Sequence, residues 1–339
     1  MSGLRYIEPV PPHRAMGLVA DVYRAIRRDF GVLGDVRNGR SPFIAHAPVP
    51  DLLAAAWSVL YETMLVGRVP RATKESVAAT ISTLNACPFC AETHTMMAAG
   101  ATGKGDHEVA PIVEWARATR SPHSGLLASP PFDPDKAPEI LTTALLFHYI
   151  NRVVSVFLGE AGVLPASGPP RRAMEAAMTG YFRYRSKRRP DVGASLDLLP
   201  DVVAAPAPDW AANAPAIAIA LGRFETVIDS AARSTLSSAV RDRLDVTLQN
   251  WDGSDPGISR AWLEDGVTDL RGQDRDVTQL LLLTALAPYR LSEDDVSRFR
   301  RHHPSDAELV AAVCWAAFTA ARRTSEWWAH PTGDASEAS

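Results

Sequence analysis

Apolar residues recur at intervals of three and four almost from end to end of the chain. Across 14–30, Met16, Val19, Tyr23, Ile26 and Phe30 fall on one face of a 3.6-residue period, with Gly31 as the stop, so the stretch reads as an amphipathic helix. The same spacing predicts helices at 50–66, 72–84, 87–99, 107–118, 137–158, 171–183, 209–231, 234–250, 258–269, 276–287, 292–300 and 306–327. Alanine fills their interiors, where it costs least. Alternating β-branched runs closed by Asn-Gly or Asp-Gly turns, the mark of hairpins, are essentially absent. The pattern predicts an all-α fold.

The rhythm breaks once, between 164 and 208. Pro165, Gly168, Pro169 and Pro170 open this stretch, a basic run from Arg183 to Pro190 fills its middle, and Pro200, Pro206 and Pro208 close it. It reads as a Pro/Arg-rich linker with one embedded helix. On either side lies a weak internal repeat. Residues 138–152, PEILTTALLFHYINR, match 307–321, AELVAAVCWAAFTAA, as the same long apolar helix, and Gly100 follows Glu75 by the interval at which Gly266 follows Arg241. The expected division is therefore 1–163, an N-terminal helix plus a first helical unit; 164–208, the linker; 209–330, a degenerate second unit; and 331–339, a disordered tail. In the second unit the place of the cysteine motif is taken by WDGSDPGISRAW, 251–262, which has no thiol and no histidine.

Composition narrows the function classes. Of 339 residues, 46% are hydrophobic and 22% charged, the balance of a chain that folds and is long enough for two ordinary cores. A net charge of -4 gives no overall pull toward nucleic acid or anionic membrane, and neither is expected as a partner. The cluster Arg183, Arg185, Lys187, Arg188 and Arg189, interleaved with Tyr181, Phe182 and Tyr184, could hold phosphate or stack on bases, but a solvated connector explains it better in an acidic chain. Met1 to Pro12 lacks a signal-peptide core and no later run approaches the roughly 18 apolar residues of a membrane span, so the expected location is the cytoplasm.

Three cysteines are too few for a secreted disulfide scaffold, and two of them stand three apart. Within KESVAATISTLNACPFCAETHTMMAAG, 74–100, Cys87, Cys90 and His94 line one helical face, which Met97 extends. Asn85 is the expected N-cap and Pro88 is tolerated in a first turn, so the helix begins at the cysteines, where the macrodipole favours thiolate. If the preceding helix ends near Leu84 and the next folds back, Glu75 lies about 14 Å from the turn and His94 about 12–13 Å, which makes them level. A carboxylate beside an imidazole raises its basicity and fixes its tautomer, and that imidazole stands one turn from Cys90. Glu75, His94 and Cys90 form a candidate proton relay, and Cys87 can close a disulfide onto Cys90 after oxidation.

Glu75, then Cys87-Pro88-Phe89-Cys90 twelve residues on, then His94, resembles the active-site pattern of the alkylhydroperoxidase D and carboxymuconolactone decarboxylase superfamily. The resemblance covers roughly 50–160, is joined by YINRVVSVF at 149–157, and extends faintly to the second unit. It implies two related helical units of the alkylhydroperoxidase D type, the second degenerate, in a homo-oligomer, a trimer being favoured. It further implies that Cys90 is oxidised to sulfenic acid by a hydroperoxide, that Cys87 resolves it and serves as proton donor, and that His94 and Glu75 relay the proton. An external dithiol, of lipoyl type in such relatives, would restore the pair. Relatives of this kind carry a second histidine where this chain has Phe89, a departure that bears on rate and reductant.

Other readings compete. Cys87, Cys90 and His94 could be three ligands of a zinc site, but no nearby Cys or Asp supplies a fourth, and no metal or cofactor is expected. A thioredoxin-like motif needs a βαβ context. A lactone decarboxylase-type lyase or isomerase would leave the cysteines incidental, and a non-catalytic helical oligomer could sense redox state. Cys314, inside VAAVCWAAF, reads as core. His148 and Asn151 on 137–158, with Phe89, are candidates for lining a substrate pocket, although helix packing also accounts for them. Tyr61 with Glu62 and the pair Trp327–Trp328 read as structural or as part of a subunit surface, and His46, His123, His302 and His303 have no partner visible in sequence.

Overall fold

The computed structural model describes residues 4–31, 41–102, 109–158, 162–165 and 167–329. Among these, every regular element is helical. The helices are α1 (Gly17–Asp29), α2 (Pro50–Leu60), α3 (Arg71–Leu84), α4 (Pro88–Ala101), α5 (Val109–Ala118), α6 (Gly125–Ala128), α7 (Ala137–Phe157), α8 (Gly168–Arg185), α9 (Pro215–Thr235), α10 (Ser238–Gln249), α11 (Ala261–Gly266), α12 (Gly272–Leu286), α13 (Glu293–Arg300) and α14 (Asp306–Ala329). The expected tail at 331–339 and the start of the helix predicted from 107 lie outside the described residues.

Three boundaries depart from the apolar spacing for local reasons. The helix predicted over 50–66 is α-helical only to Leu60 and then widens into a π turn, Tyr61–Leu65. That turn swings Glu62 inward, where its carboxylate accepts from the Gly193 N–H at 2.8 Å and the Ser195 hydroxyl at 2.6 Å. The helix predicted from 209 starts at Pro215, a residue suited to a first helical position, after a short 3-10 turn at Asp209–Ala211. The helix predicted over 258–269 contracts to α11.

One continuous apolar cluster runs through both halves of the chain. Its axis is α7, buried from Pro138 to Phe157, which packs against α3, α9 and α14. Tyr149 of α7 meets Phe224 of α9 and Phe318 of α14 edge-on, with centroids 5.2 and 6.2 Å away, and each such buried ring contributes about 1.5–3 kcal/mol. Contrary to the expectation that no stretch comes close, α7 is long and apolar enough to cross a membrane, yet it is wholly enclosed within the fold. Its polar groups are answered internally: His148 by Thr119 and Asn85, Asn151 by Asn85 and Ser82, and Arg152 by the carbonyls of His148 and Ala285.

Two attachments fix the helices that carry the site. The carboxylate of Glu139, at the start of α7, accepts from the Arg68 N–H at 2.6 Å and the Val69 N–H at 3.2 Å and pairs with the Lys74 ammonium at 2.7 Å. Gly67, at φ +105°, is required there, since a Cβ would stand 2.3 Å from that carboxylate. The loop leading into α3 is thereby pinned. On the other flank, α8 lies over α4 through a small separate cluster of Met96, Met97 and Phe182. A Cβ on Gly100 would come within 2.7 Å of the Thr179 carbonyl oxygen and 2.9 Å of the Arg183 nitrogen, so the two backbones nearly touch.

Candidate active site

The site is built on the hairpin of α3 and α4. The turn between them closes by two backbone bonds, Ala86 N–H to the Thr83 carbonyl at 3.1 Å and Cys87 N–H to the Ser82 carbonyl at 2.9 Å. This is the Schellman pattern, with Asn85 as C-cap of α3 and Ala86 in the left-handed conformation, φ +50°, that usually selects glycine. Asn85 therefore ends α3; the N-cap of α4 is Cys87, not Asn85 as the sequence suggested. The Asn85 amide instead reaches α7, donating to the Asn151 side-chain oxygen Oδ1 at 3.1 Å and meeting His148 Nδ1 at 3.2 Å.

Ten residues of helix on one side of the turn, 75–84, and seven on the other, 88–94, bring Glu75 and His94 together. Glu75 Oε2 lies 2.5 Å from His94 Nδ1, and the carboxylate has no solvent exposure. Arg71, one turn earlier on α3, donates to the other carboxylate oxygen and stacks over the Phe30 ring at 5.9 Å. Burial works against the Glu75 charge, but Arg71 and His94 outweigh it and hold the carboxyl below its ordinary range. The edge of Phe147 packs on the imidazole at 4.5 Å between centroids, which fixes the ring plane. A cavity of about 30 Å³, lined among others by Glu75, Arg71, Asp29 and Arg185, adjoins the outer side of this carboxylate, room for one or two waters.

Cys87 and Cys90 are both buried and neither is bridged. They differ electrostatically. The Cys90 thiol favours a thiolate on Cys87, burial opposes it, and the Cys90 backbone N–H, Ser155 and Asn151 add support, so Cys87 ionises below the ordinary thiol range. Cys90 is pushed well above that range, first by burial and then by the hydrogen bond and charge of Cys87, which Asn151 offsets only in part. Against the expectation that both thiols are activated, only Cys87 is lowered, by hydrogen bonds to its sulfur, while Cys90 is raised, first by burial.

His148, Asn151 and Phe89 are buried, and the first two belong to a polar cluster behind the turn, with Thr119 on His148 Nε2 at 2.9 Å and Asn151 donating to Ser82 at 3.0 Å. Burial, together with Arg152 and Arg120, keeps His148 neutral far below its usual range. Cys314 is core, and burial lifts its thiol to about 12. His46 has a partner after all, the Tyr149 hydroxyl at 2.7 Å, while His302 meets Asp276 and His303 meets Glu308. Of the basic cluster, Arg185 and Arg188 cap the C-terminal carbonyl of Arg28 and Phe182 is buried. Among the described residues no three of His, Cys, Asp and Glu converge as a metal-binding group. Sequence reasoning missed Arg71, although its spacing of four from Glu75 was a usable signal, and missed Arg120 and Ser155, for which no local signal exists.

Residues 50–121, which span α2 through the end of α5, match the carboxymuconolactone decarboxylase family. Over nearly its whole length, 96%, the chain is also 37% identical to a protein of Mycobacterium tuberculosis named alkyl hydroperoxide reductase, of which the match covers 95%. A match of that extent places both halves and the hairpin in one lineage, and the chain belongs to the alkylhydroperoxidase D and carboxymuconolactone decarboxylase superfamily.

Proposed function

We propose that the protein is a thiol peroxidase that reduces a hydroperoxide at the Cys87/Cys90 pair and is reset by an external dithiol. The observation that carries this reading is the buried Glu75–His94 bond at 2.5 Å, set on the same helical face as two thiols of opposed ionisation. A sulfur that ionises unaided needs no base. Cys90 does need one; the four-residue spacing on α4 and the Glu75 bond support His94 as the base that takes its proton.

The Cys90 thiolate attacks the distal oxygen of the peroxide, the O–O bond breaks, and the alkoxide leaves as an alcohol on taking a proton. The thiolate of Cys87 then attacks the Cys90 sulfenic acid, water leaves, and a disulfide forms. Two electrons pass from the pair to the peroxide, and an external dithiol, of lipoyl type by family resemblance, returns them with two protons. A homo-oligomer, a trimer by the same resemblance, is part of this proposal.

The test is to add one equivalent of hydroperoxide to reduced protein and follow each thiol by mass. Cys87 and Cys90 should be lost together, and Cys87→Ser should accumulate a sulfenic acid at Cys90 that a dimedone-type probe captures. Unchanged thiols overturn the peroxidase reading. Labelling at Cys87 in Cys90→Ser, with none at Cys90 in Cys87→Ser, reverses the two roles. The family match also names a decarboxylase; that lyase reading requires a Cys90→Ser variant to keep full turnover.

A further inference from the structure

The loop 251–257 occupies the place in the second half where the first half carries its thiols, and it meets the first half at Arg120 and, through the Trp251 ring, at Arg152 of α7. Arg120 follows α5 and is 9% exposed. Each nitrogen of its guanidinium is engaged. Nε donates to the Gly253 carbonyl at 3.0 Å, one terminal nitrogen to the Asp255 carboxylate at 2.9 Å, and the other to the Leu84 carbonyl at 3.1 Å. Trp251 presents its ring to the same guanidinium at 5.6 Å. The loop backbone could hardly come closer: Gly253 sits at φ +88°, and a Cβ there would lie 1.8 Å from the Arg120 carbonyl oxygen.

Leu84 is the last residue of α3, and a terminal helical carbonyl has no partner within its helix. Two residues on stands Ala86, held left-handed where a Cβ is unfavourable, and immediately after it Cys87. The backbone that aims Cys87 at Cys90, Ser155 and Asn151 is thus a strained turn, and such a turn persists only when its surroundings over-determine it. Arg120 supplies one hold on it, and the Asn85 bonds to α7 supply another.

We propose that the 251–257 loop acts through Arg120 as a clamp on the α3–α4 turn, making Arg120 a positioning residue for Cys87. The second half, which carries no thiol in the stretch 251–262, keeps those of the other half in register. The clamp rests on Cys87 being the ionised member of the pair, and it can be tested without any peroxide.

Cys87 meets Cys90 on α4 and Asn151 and Ser155 of α7; the charged and titratable groups of the adjoining cluster are His148, bonded to Asn85, Arg152, bonded to the His148 carbonyl, and Arg120 beyond the turn, so the Cys87 titration reports this neighbourhood. The experiment is the rate of Cys87 alkylation against pH in the full-length protein, read by mass on the Cys87 peptide. Gly253→Ala keeps every charge but pushes the loop off Arg120; it should raise the midpoint by about one pH unit, slowing alkylation at neutral pH about tenfold. Arg120→Ala should do the same or more, and Asp255→Asn, on an exposed carboxylate, should do it in smaller measure without risk to folding. A midpoint equal to that of the unaltered protein in Gly253→Ala and Asp255→Asn overturns the clamp, whatever happens to melting temperature. If the midpoints move but hydroperoxide leaves the thiols intact, the clamp stands and the peroxidase reading falls.

Discussion

Replacing Glu139 with glutamine removes the carboxylate that pairs with the Lys74 ammonium, 2% exposed and 2.7 Å away. Lys74 keeps the Val66 carbonyl at 2.6 Å, but a carbonyl does not neutralise a buried charge. Breaking a buried pair from one side typically costs about 3–5 kcal/mol. The same carboxylate also takes the Arg68 and Val69 N–H groups, which glutamine can satisfy only in part. Against a total stability of about 5–15 kcal/mol, Glu139→Gln should be near the edge of folding. Lys74→Met asks less, because Glu139 retains both backbone donors and the methionine fills the space; about 1.5–3 kcal/mol is expected. Urea denaturation of both single variants and the double should therefore give Glu139→Gln as the costlier single change, with a coupling of at least about 1 kcal/mol. A Lys74→Met loss equal to or larger than that of Glu139→Gln would refute the reasoning, since an ammonium left buried without its carboxylate would then not be the costlier orphan.

Two further outcomes follow from the same structure. His46, pushed by burial down to about 4 from an ordinary 6.5, refuses a proton that the unfolded chain accepts, so the folded state is fully favoured above pH 6.5 and loses about 3 kcal/mol as pH falls toward 4; His148 acts in the same direction, and stability that stays flat between pH 6.5 and 4.5 would contradict both burials. Glu75→Gln and His94→Ala should each slow peroxide consumption by about 10²–10⁴ while Cys87 still alkylates readily, and stopped-flow rates within twofold of the unaltered protein would remove the relay.

What could be read in the sequence was what helices decide locally. Glu75 and His94 are 19 residues apart, joined by two regular helices and one tight turn, so counting residues from the turn was enough to pair them. Arg71 could have been added by the same arithmetic. The rest depends on contacts that no spacing encodes. Lys74 finds Glu139 across 65 positions, His46 finds Tyr149 across 103, and Arg120 finds Asp255 across 135. The unequal thiols show the limit most clearly. Position on the helix argued for activating both, and only the packing reveals that at Cys87 the Cys90 thiol and further donors outweigh burial, while at Cys90 burial and the Cys87 charge outweigh its one supporting donor, Asn151. Asn85 was misplaced because its side chain suits either end of a helix, and the left-handed Ala86 that decides the matter carries no sequence flag.

The near contact of α4 and α8 at Gly100 divides the tolerance of the outer helix in two. On its inner side, main chain meets main chain, and no engineered library should recover any residue but glycine at position 100. Toward the N-terminus of the same helix, residues 172–177 are exposed on every side, more than a full turn of it, which makes that turn the natural attachment point for a fluorophore or affinity handle intended to leave the dithiol undisturbed.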